Sequence, residues 1–496
     1  MTHAGPEPDG RPSLDGRRIF LTVALVYLAF LNPTIGTSVT SVSLDAALSV
    51  VEHGRWEVTE RHRAVFGDVD VARSGGVAVP GTPPGLGLLA VAPVAAWRAL
   101  AGPAVTLPAL HVVLTLALGV TAAALTAVQV AWLAGWLGAT RRARLTAALV
   151  FAFGTPAFVF GTRLQKEMLA GLAVAGALRL ALDAGGRGRA AVAGLVAGAG
   201  ALMTYPAGLI APAAALVIAA RRGVALGAVT LAAAAVPVAA LAGYNTWLFG
   251  APWRFGYGAL LALPAGARAA RFALPAPVTL LDLVVHPRGG LLLFAPFLIL
   301  GVPGLVTAWR AGRRWEAGAA AAFTLAVWLV AAAWLSTFPP LANGTIYLFP
   351  AAPLLAAFAA LTFDGARRRL AAALAAVSVA LTYLVVQAGH LGDASPLVYA
   401  VKTFLSGTGM GVLFKETLPR ALGLETLHGY VARPDVSAGD ALRRLAMGEG
   451  WRLVVNQGLM LALNLAVLAG MGLLVRRVWT VSVAAAAPAP AHAATR

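Results

Sequence analysis

Long apolar stretches alternate with short clusters of arginine along most of the chain. A helix that crosses the hydrocarbon of a bilayer needs about 20 apolar residues. Runs near this length occupy 19–36, 109–137, 145–162, 167–184, 190–206, 207–220, 223–249, 289–309, 317–337, 345–363, 370–389 and 453–475. This pattern predicts an all-α polytopic membrane protein, a bundle of about twelve transmembrane helices.

Arginine clusters flank these runs and predict their orientation. They lie at 17–18, 141–144, 187–189, 221–222, 310–314, 367–369 and 476–477. Basic residues favour the cytoplasmic side of a membrane. All seven clusters are cytoplasmic only if one further apolar run, at 84–101, does not cross. We therefore predict a re-entrant or interfacial helix there, on the outer face, and cytoplasmic N- and C-termini.

Composition narrows the class of protein. Hydrophobic residues make up 59% of the 496 residues and charged residues only 12%, against about half and a quarter in soluble proteins. This excludes a soluble enzyme, a disordered protein and a nucleic-acid binder, despite the net charge of +18. The chain has no cysteine, and no His, Asp or Glu cluster shows metal-ligand spacing. No metal and no cofactor is predicted.

Three outer segments remain, because the cytoplasmic connections are short. They are 37–108, 250–288 and 390–452, and the last is expected to form short helices over the site. Loops carried by a rigid scaffold often hold the functional residues. The transmembrane domain would span 17–480, with a flexible cytoplasmic N-terminus at 1–16 and a disordered Ala/Pro-rich tail at 481–496. The first run lacks a clear small-residue cleavage site and is interpreted as an uncleaved anchor.

The runs 190–206 and 207–220 are short for complete spans and meet at Thr204-Tyr205-Pro206. Proline there breaks the helix. Broken backbone at membrane depth is tolerated where protein or a water-filled cavity covers it. The sequence therefore predicts a tight hairpin beside a cavity that opens outward.

The first outer segment begins with apolar residues at helical spacing, which predict an amphipathic helix over 42–53 lying on the membrane. Asp45 would lie in its first turn. One interpretation is an acid that the helix dipole favours. The other is a general base at the boundary between membrane and water.

Asp68 and Asp70 follow, two positions apart. They could bind a cation, share the duty of a base, or belong to a solvated loop. The Gly- and Pro-rich residues 75–85 that lead into the next apolar helix are interpreted as a loop.

Several segments together resemble the GT-C superfamily, membrane glycosyltransferases that take sugar from a polyprenyl phosphate. The first outer segment places an acid, a Gly-Asp and a Pro-Gly entry before LLAVAP at 88–93. The stretches YNTWLFGAPWRFGYG at 244–258, HPRGGLLLFAPFLILGVPGL at 286–305 and WLSTFPPLANGTIYLFPAAPLLA at 334–356 follow in the order seen in the bacterial branch near glycosyltransferase family 39 and its protein mannosyltransferases. The resemblance covers most of 19–390.

The resemblance implies a mechanism. Asp45 matches the catalytic carboxylate by position and would activate an acceptor hydroxyl for inverting attack on the anomeric carbon. The leaving phosphate needs positive charge. The candidates to bind it are Lys166, Arg163, Arg254 and Arg288. Possible acceptor-binding or auxiliary residues are Asp68, Asp70, Glu167 and Tyr205. The partners would be a polyprenyl-phosphate-linked sugar, an unknown acceptor (glycan, lipid or protein) and membrane lipids, with no nucleic acid, at the cytoplasmic (inner) membrane.

The chain departs from the family pattern in three places. It has one acid at Asp45 where relatives often have two, it lacks the arginine expected before Tyr347, and no large soluble domain follows the last span. Lys166 and Glu167 also fit a pair that caps a span at the headgroups, and Arg254 beside Trp253 fits an interfacial anchor. A polytopic transporter or lipid flippase, and a non-catalytic GT-C relative, are therefore the alternative functions.

Overall fold

Helices form nearly all of the regular structure in the computed structural model of the chain. The structure describes residues 14–32, 35–102, 106–261, 272–287, 289–336, 343–365, 367–388, 413–414, 418–426, 440, 443, 446–448 and 450–484. Arg288, 389–412 and most of 415–449 lie outside the described residues, and so does most of the segment 390–452, over which short helices covering the site are expected.

Within the described residues, the first half of the chain contains twelve α-helices and one β-hairpin. The helices are α1 Leu14–Ala29, α2 Ser38–His53, α3 Glu60–Phe66, α4 Gly85–Ala101, α5 Leu107–Leu114, α6 Thr121–Trp136, α7 Arg141–Phe153, α8 Ala157–Gly161, α9 Lys166–Leu182, α10 Arg187–Met203, α11 Ile210–Arg222 and α12 Val224–Phe249. A π-helical turn over Thr115–Val120 makes α5 and α6 continuous. The hairpin pairs β1 Val71–Ser74 with β2 Val77–Pro80.

The second half continues with shorter and more broken helices. They are α13 Pro277–Val285, α14 Leu291–Phe294, α15 Gly301–Arg310, α16 Arg314–Leu335, α17 Gly344–Tyr347, α18 Ala352–Ala359, α19 Arg368–Ala388, α20 Leu418–Ala421 and α21 Trp451–Ala484. Single 3-10 turns lie at Tyr205–Leu209, Gly256–Ala259, Pro296–Leu300, Phe349–Ala351 and Ala360–Thr362.

Five helices in the described part of the chain are long and apolar enough to cross a membrane. They cover Leu107–Trp136, Val224–Phe249, Arg314–Leu335, Arg368–Val386 and Trp451–Leu473. The helical class is confirmed, whereas the count of about twelve crossings stays a prediction. Some expected spans are interrupted: 289–309 is divided before Pro296 and 345–363 before Pro350, because proline has no N–H for the helical ladder.

The chain ends differ from the predicted boundaries. α1 begins at Leu14, and Asp15 pairs with Arg141 and Arg144 at the start of α7. The expectation of a flexible segment up to residue 16 is therefore wrong for 14–16, and the first run ends as a helix at Ala29 rather than at 36. The last helix extends to Ala484, into the predicted tail. Residues 1–13 and 485–496 are not among those described.

Small residues let the helices before and after the 204–206 break pack closely. A Cβ on Gly194 would lie 2.1 Å from the carbonyl oxygen of Thr230, and one on Gly198 would lie 2.3 Å from that of Ala234. The Thr230 hydroxyl donates a hydrogen bond of 3.2 Å to the Ala190 carbonyl. Such contacts let membrane helices approach backbone to backbone. They fix α10 against α12 and so position the break that follows α10.

The first outer segment folds onto itself rather than along a membrane surface. α2 packs against α3, α4, α5 and β2, and every residue from Thr40 to Ser49 is buried. The expectation of an amphipathic helix lying on the membrane is therefore wrong.

The expectation of a loop over 75–85 is wrong for Val77–Pro80, which pairs with β1 in a hairpin, whereas 81–84 has no regular structure. Gly75 and Gly76 make the two-residue turn of this hairpin with φ of 54° and 87°, a conformation that favours glycine.

Candidate functional site

A cavity of about 700 Å³ lies beside the helix break at Thr204-Tyr205-Pro206. The N-terminus of α9, the β1–β2 hairpin, the loop between α12 and α13, and the end of α16 surround it. The ionisable side chains in its wall are Asp70, Arg73, Lys166, Glu167, Tyr205, Arg254, Tyr257 and Tyr347. The sequence predicted a cavity at this break, and the structure has one there. That it opens on the outer side of a membrane stays a prediction.

Asp45 is not among the described residues that line this cavity. Its side chain is fully buried, and its oxygens accept hydrogen bonds from the Thr59 N–H (2.6 Å), the Thr59 hydroxyl (2.8 Å) and Arg61 Nε (3.0 Å). α2 begins at Ser38, so Asp45 lies two turns into the helix rather than in its first turn. Asp45 therefore does not line the cavity with the candidate cations, and its oxygens instead hold the start of α3.

The Asp45 contacts continue into a network of ion pairs. Arg61 Nη1 lies 2.6 Å from a Glu52 oxygen, and Arg98 Nη1 lies 2.7 Å from the other. Burial raises the pKa of Glu52, but the hydrogen bond from Arg61 and the two guanidinium charges outweigh it and lower this pKa. The network ties α2 to α3 and α4 and so holds the first outer segment together.

Asp70 is the carboxylate that reaches the cavity. Its backbone is left-handed, with φ of 59°, and the Ser38 hydroxyl at the start of α2 donates a hydrogen bond to its Oδ2. Its carbonyl accepts a hydrogen bond from the Gly81 N–H at 2.8 Å. Asp68 instead points away: it is exposed and pairs with Arg63 at 3.2 Å. The two acids that the sequence places together therefore have separate surroundings.

His62 holds the turn that presents Asp70, and sequence reasoning did not select it. Its ring is buried, with Nδ1 3.0 Å from the Ser41 hydroxyl and Nε2 3.0 Å from the Val69 carbonyl. A neutral ring with its proton on Nε2 satisfies both contacts, because it donates to the carbonyl and accepts from the hydroxyl. Burial lowers the pKa of His62, which favours this neutral form. No spacing in the sequence marks His62.

Lys166 and Glu167 open α9 and are both buried in the cavity wall, with 3% and 4% exposure. Lys166 Nζ donates a hydrogen bond of 3.2 Å to the Tyr257 hydroxyl and lies 5.8 Å from the centre of that ring. Electrostatic interactions connect Asp70 with both residues. The two side chains therefore face the cavity.

The other cations predicted to bind phosphate lie in different places. Arg254 lines the cavity, is exposed, and donates a hydrogen bond of 3.4 Å to the Phe249 carbonyl. Arg163 is buried outside the described lining, where its guanidinium packs against Gly36. The expectation that Arg163 faces the phosphate is therefore not met. Arg288 is not among the described residues.

A row of aromatic rings forms one wall of the cavity, and sequence reasoning selected only Tyr205 from it as a site residue. Tyr205 lies 4.4 Å from Phe255 and 6.0 Å from Tyr257 between ring centres. The row continues from Tyr257 to Trp334 at 5.1 Å and from Trp334 to Tyr347 at 5.4 Å. These rings come from three distant segments of the chain, so only the folded structure brings them together.

Two helix N-termini also meet at the cavity. Thr37 caps α2 through a hydrogen bond to its hydroxyl from the Thr40 N–H, and Gln165 precedes α9. Gln165 Nε2 donates to the Thr37 hydroxyl at 3.3 Å, and both residues line the cavity. The positive ends of helix dipoles and their free N–H groups favour anions. The wall near Lys166 therefore favours a negatively charged group.

Among the described residues, no group of three or more His, Asp or Glu side chains could hold a metal ion. The arrangement offers a carboxylate, an ammonium group, two helix N-termini and an aromatic wall around one space. No protein-family model matches the chain, and comparison with curated proteins and with solved structures finds no match either.

Proposed function

We propose that the chain is a GT-C-like glycosyltransferase of about twelve transmembrane helices. It transfers a sugar from a polyprenyl phosphate to an acceptor hydroxyl, with inversion, at the outer face of the cytoplasmic membrane. One observation carries the proposal: Asp70 and the buried Lys166 line a single cavity next to two helix N-termini. The order of motifs that resembles the superfamily supports it.

The phosphate of the donor would bind at the start of α9. Lys166 has further N–H donors besides the one it gives to Tyr257, and it approaches a phosphate as a point charge. Arg254 lines the same cavity and can contact a phosphate through two N–H groups. These two cations would replace the arginine that the family pattern expects before Tyr347.

Asp70 would be the base, in place of Asp45. It takes the proton of the acceptor hydroxyl while that oxygen attacks the anomeric carbon. The bond from this carbon to the phosphate oxygen breaks, and the phosphate leaves with the electron pair toward Lys166. A single displacement inverts the anomeric centre. The clamp that His62 and Ser38 place on the 69–70 turn fits this role, because a base must be held within hydrogen-bond distance of the proton it takes.

The aromatic wall suits the sugar and the first part of the lipid. Ring faces such as those of Tyr257 and Trp334 offer apolar surface to the C–H groups of a sugar. Burial also raises the pKa of Tyr257, so its phenol stays protonated and can donate a hydrogen bond. The cavity volume of about 700 Å³ falls in the range usual for small-molecule sites.

The test is transfer of labelled mannose, glucose and galactose from their polyprenyl phosphates in membranes that contain the chain. Loss of a general base costs about 10²–10⁴-fold, so we expect Asp70→Asn to lose at least a hundredfold in rate. Asp68→Asn is the matched control, because that exposed acid lies two positions away and pairs with Arg63.

Equal transfer by the wild type and Asp70→Asn would remove Asp70 as the base. No transfer from any of the three donors, together with uptake of a solute into proteoliposomes that lack lipid-linked sugar, would favour the transporter instead.

A further inference from the structure

Two polar atoms in the cavity wall have no hydrogen-bond partner among the described residues. They are Oε2 of Glu167 and Oγ1 of Thr204, and both atoms are buried. Both residues line the cavity. α9, which carries Glu167, packs against the 3-10 turn that follows Thr204. Two unsatisfied atoms therefore lie on neighbouring elements of one wall.

Buried polar atoms without a partner are uncommon in folded proteins, and each one needs a reason. The adjacent Lys166 donates to Tyr257 and makes no hydrogen bond to Oε2 of Glu167. A metal ion is a poor explanation, since no group of three suitable ligands lies in the described residues. A ligand that carries hydroxyl groups fits both atoms, because a hydroxyl can donate to a carboxylate and can also pair with a threonine.

We propose that Glu167 and Thr204 form the subsite that selects the sugar. This inference rests on the proposed function. Glu167 Oε2 accepts a hydrogen bond from one free hydroxyl of the sugar, and the Thr204 hydroxyl pairs with a second oxygen of the same ring. The substrate class is therefore a donor whose sugar carries free hydroxyls at these two positions. Glu167 determines specificity, while Asp70 does the chemistry.

The hairpin break gives the subsite its place. α10 ends at Met203, and Thr204 has an extended backbone, with φ of −144° and ψ of 130°, just before the 3-10 turn that contains Pro206. Its neighbour Tyr205 contributes a ring to the aromatic wall. The ring face of a sugar would lie on this wall, and its hydroxyl edge would face Thr204 and Glu167. Adjacent residues would thus recognise both parts of the sugar.

The experiment compares donors that lack one sugar hydroxyl at a time. The probes are polyprenyl-phosphate mannose, glucose and galactose with their monodeoxy analogues, given to the wild type, Glu167→Ala, Glu167→Gln and Thr204→Val. A site that pairs with a hydroxyl rejects an analogue without it. We expect the wild type to lose about tenfold in kcat/KM, about 1.4 kcal/mol, for the analogue that lacks the contacted hydroxyl.

In Glu167→Ala that one penalty should disappear while the penalties for the other hydroxyls stay. Glu167→Gln should restore part of it, because an amide oxygen still accepts, and Thr204→Val should remove the penalty of a different hydroxyl. If Glu167→Ala keeps every loss in kcat/KM that the wild type shows with the deoxy analogues, the inference about the subsite is overturned. The proposed transfer reaction would then still stand.

Binding of the same donors, measured by thermal shift of the purified chain, separates the two proposals if no transfer occurs. A discrimination among analogues that depends on Glu167 then supports the subsite without the transfer reaction. Donors that neither bind nor react overturn both. Correct folding of each variant is checked by its melting temperature and by size-exclusion chromatography.

Discussion

Asp45→Ala should lower the stability of the protein and leave the rate of sugar transfer per folded molecule unchanged. The substitution removes the acceptor of three hydrogen bonds, two from Thr59 and one from Arg61. The Asp45 carboxylate is fully buried, and the variant leaves the Thr59 N–H without this acceptor. Sequence reasoning alone would expect the opposite result, a stable protein without activity.

The size of the stability loss depends on whether each of the three donors can find another acceptor. Removing one partner of a buried ion pair costs about 3–5 kcal/mol. The Arg61 side chain is 33% exposed and keeps Glu52 at 2.6 Å, so solvent and the second acid compensate part of that loss. The Thr59 hydroxyl can rotate to a new acceptor. We therefore expect about 3 kcal/mol, the lower end of the range.

The assay is thermal unfolding of the detergent-purified chain, followed by size-exclusion chromatography of the fraction that stays monodisperse. Arg61→Ala and the double variant complete a cycle, in which the two losses should not add because they act through one contact. Asp70→Asn is the comparison, with an unchanged melting temperature and lost transfer. Asp45→Ala with a wild-type melting temperature and no transfer per folded molecule would refute this reasoning and return Asp45 to the role of base.

Three further predictions concern the scaffold, the clamp and the phosphate site. Gly198→Leu should lower the melting temperature by an amount equal to about 1–3 kcal/mol, because its Cβ would lie 2.3 Å from the Ala234 carbonyl, whereas Gly188→Ala on the same helix meets nothing within 4 Å. Burial lowers the pKa of His62, so the stability that its neutral ring contributes is present above about pH 6.5 and is lost as pH falls. Melting temperatures measured over a range of pH should show this loss, and His62→Gln should remove this pH dependence. Lys166→Gln should raise the KM for the donor more than it lowers kcat if the ammonium mainly binds the ground-state phosphate, as steady-state kinetics over a range of donor concentrations would show. An unchanged KM and kcat in that variant would exclude Lys166 from the phosphate site.

The sequence alone determined the class of the molecule and the location of its cavity. Apolar runs of membrane length and sparse charge predict a helical membrane protein, because backbone groups in hydrocarbon must be satisfied within a helix, and the described residues contain five helices long and apolar enough to cross a membrane. Pro206, where two short runs meet, marked the helix break, since proline cannot continue the ladder. Lys166 and Glu167 stood out as charges at the start of a run, and both line the cavity at that break.

Tertiary structure decided which acid faces the cavity. The sequence favoured Asp45 as the base and gave Asp70 only as a possible auxiliary residue. Nothing local shows that Thr59 and Arg61 will occupy Asp45 while the Ser38 hydroxyl and a left-handed turn present Asp70. The aromatic wall has the same origin, since its rings come from segments far apart in sequence. Periodicity and composition report on one helix at a time, whereas a site depends on contacts between segments that only packing brings together.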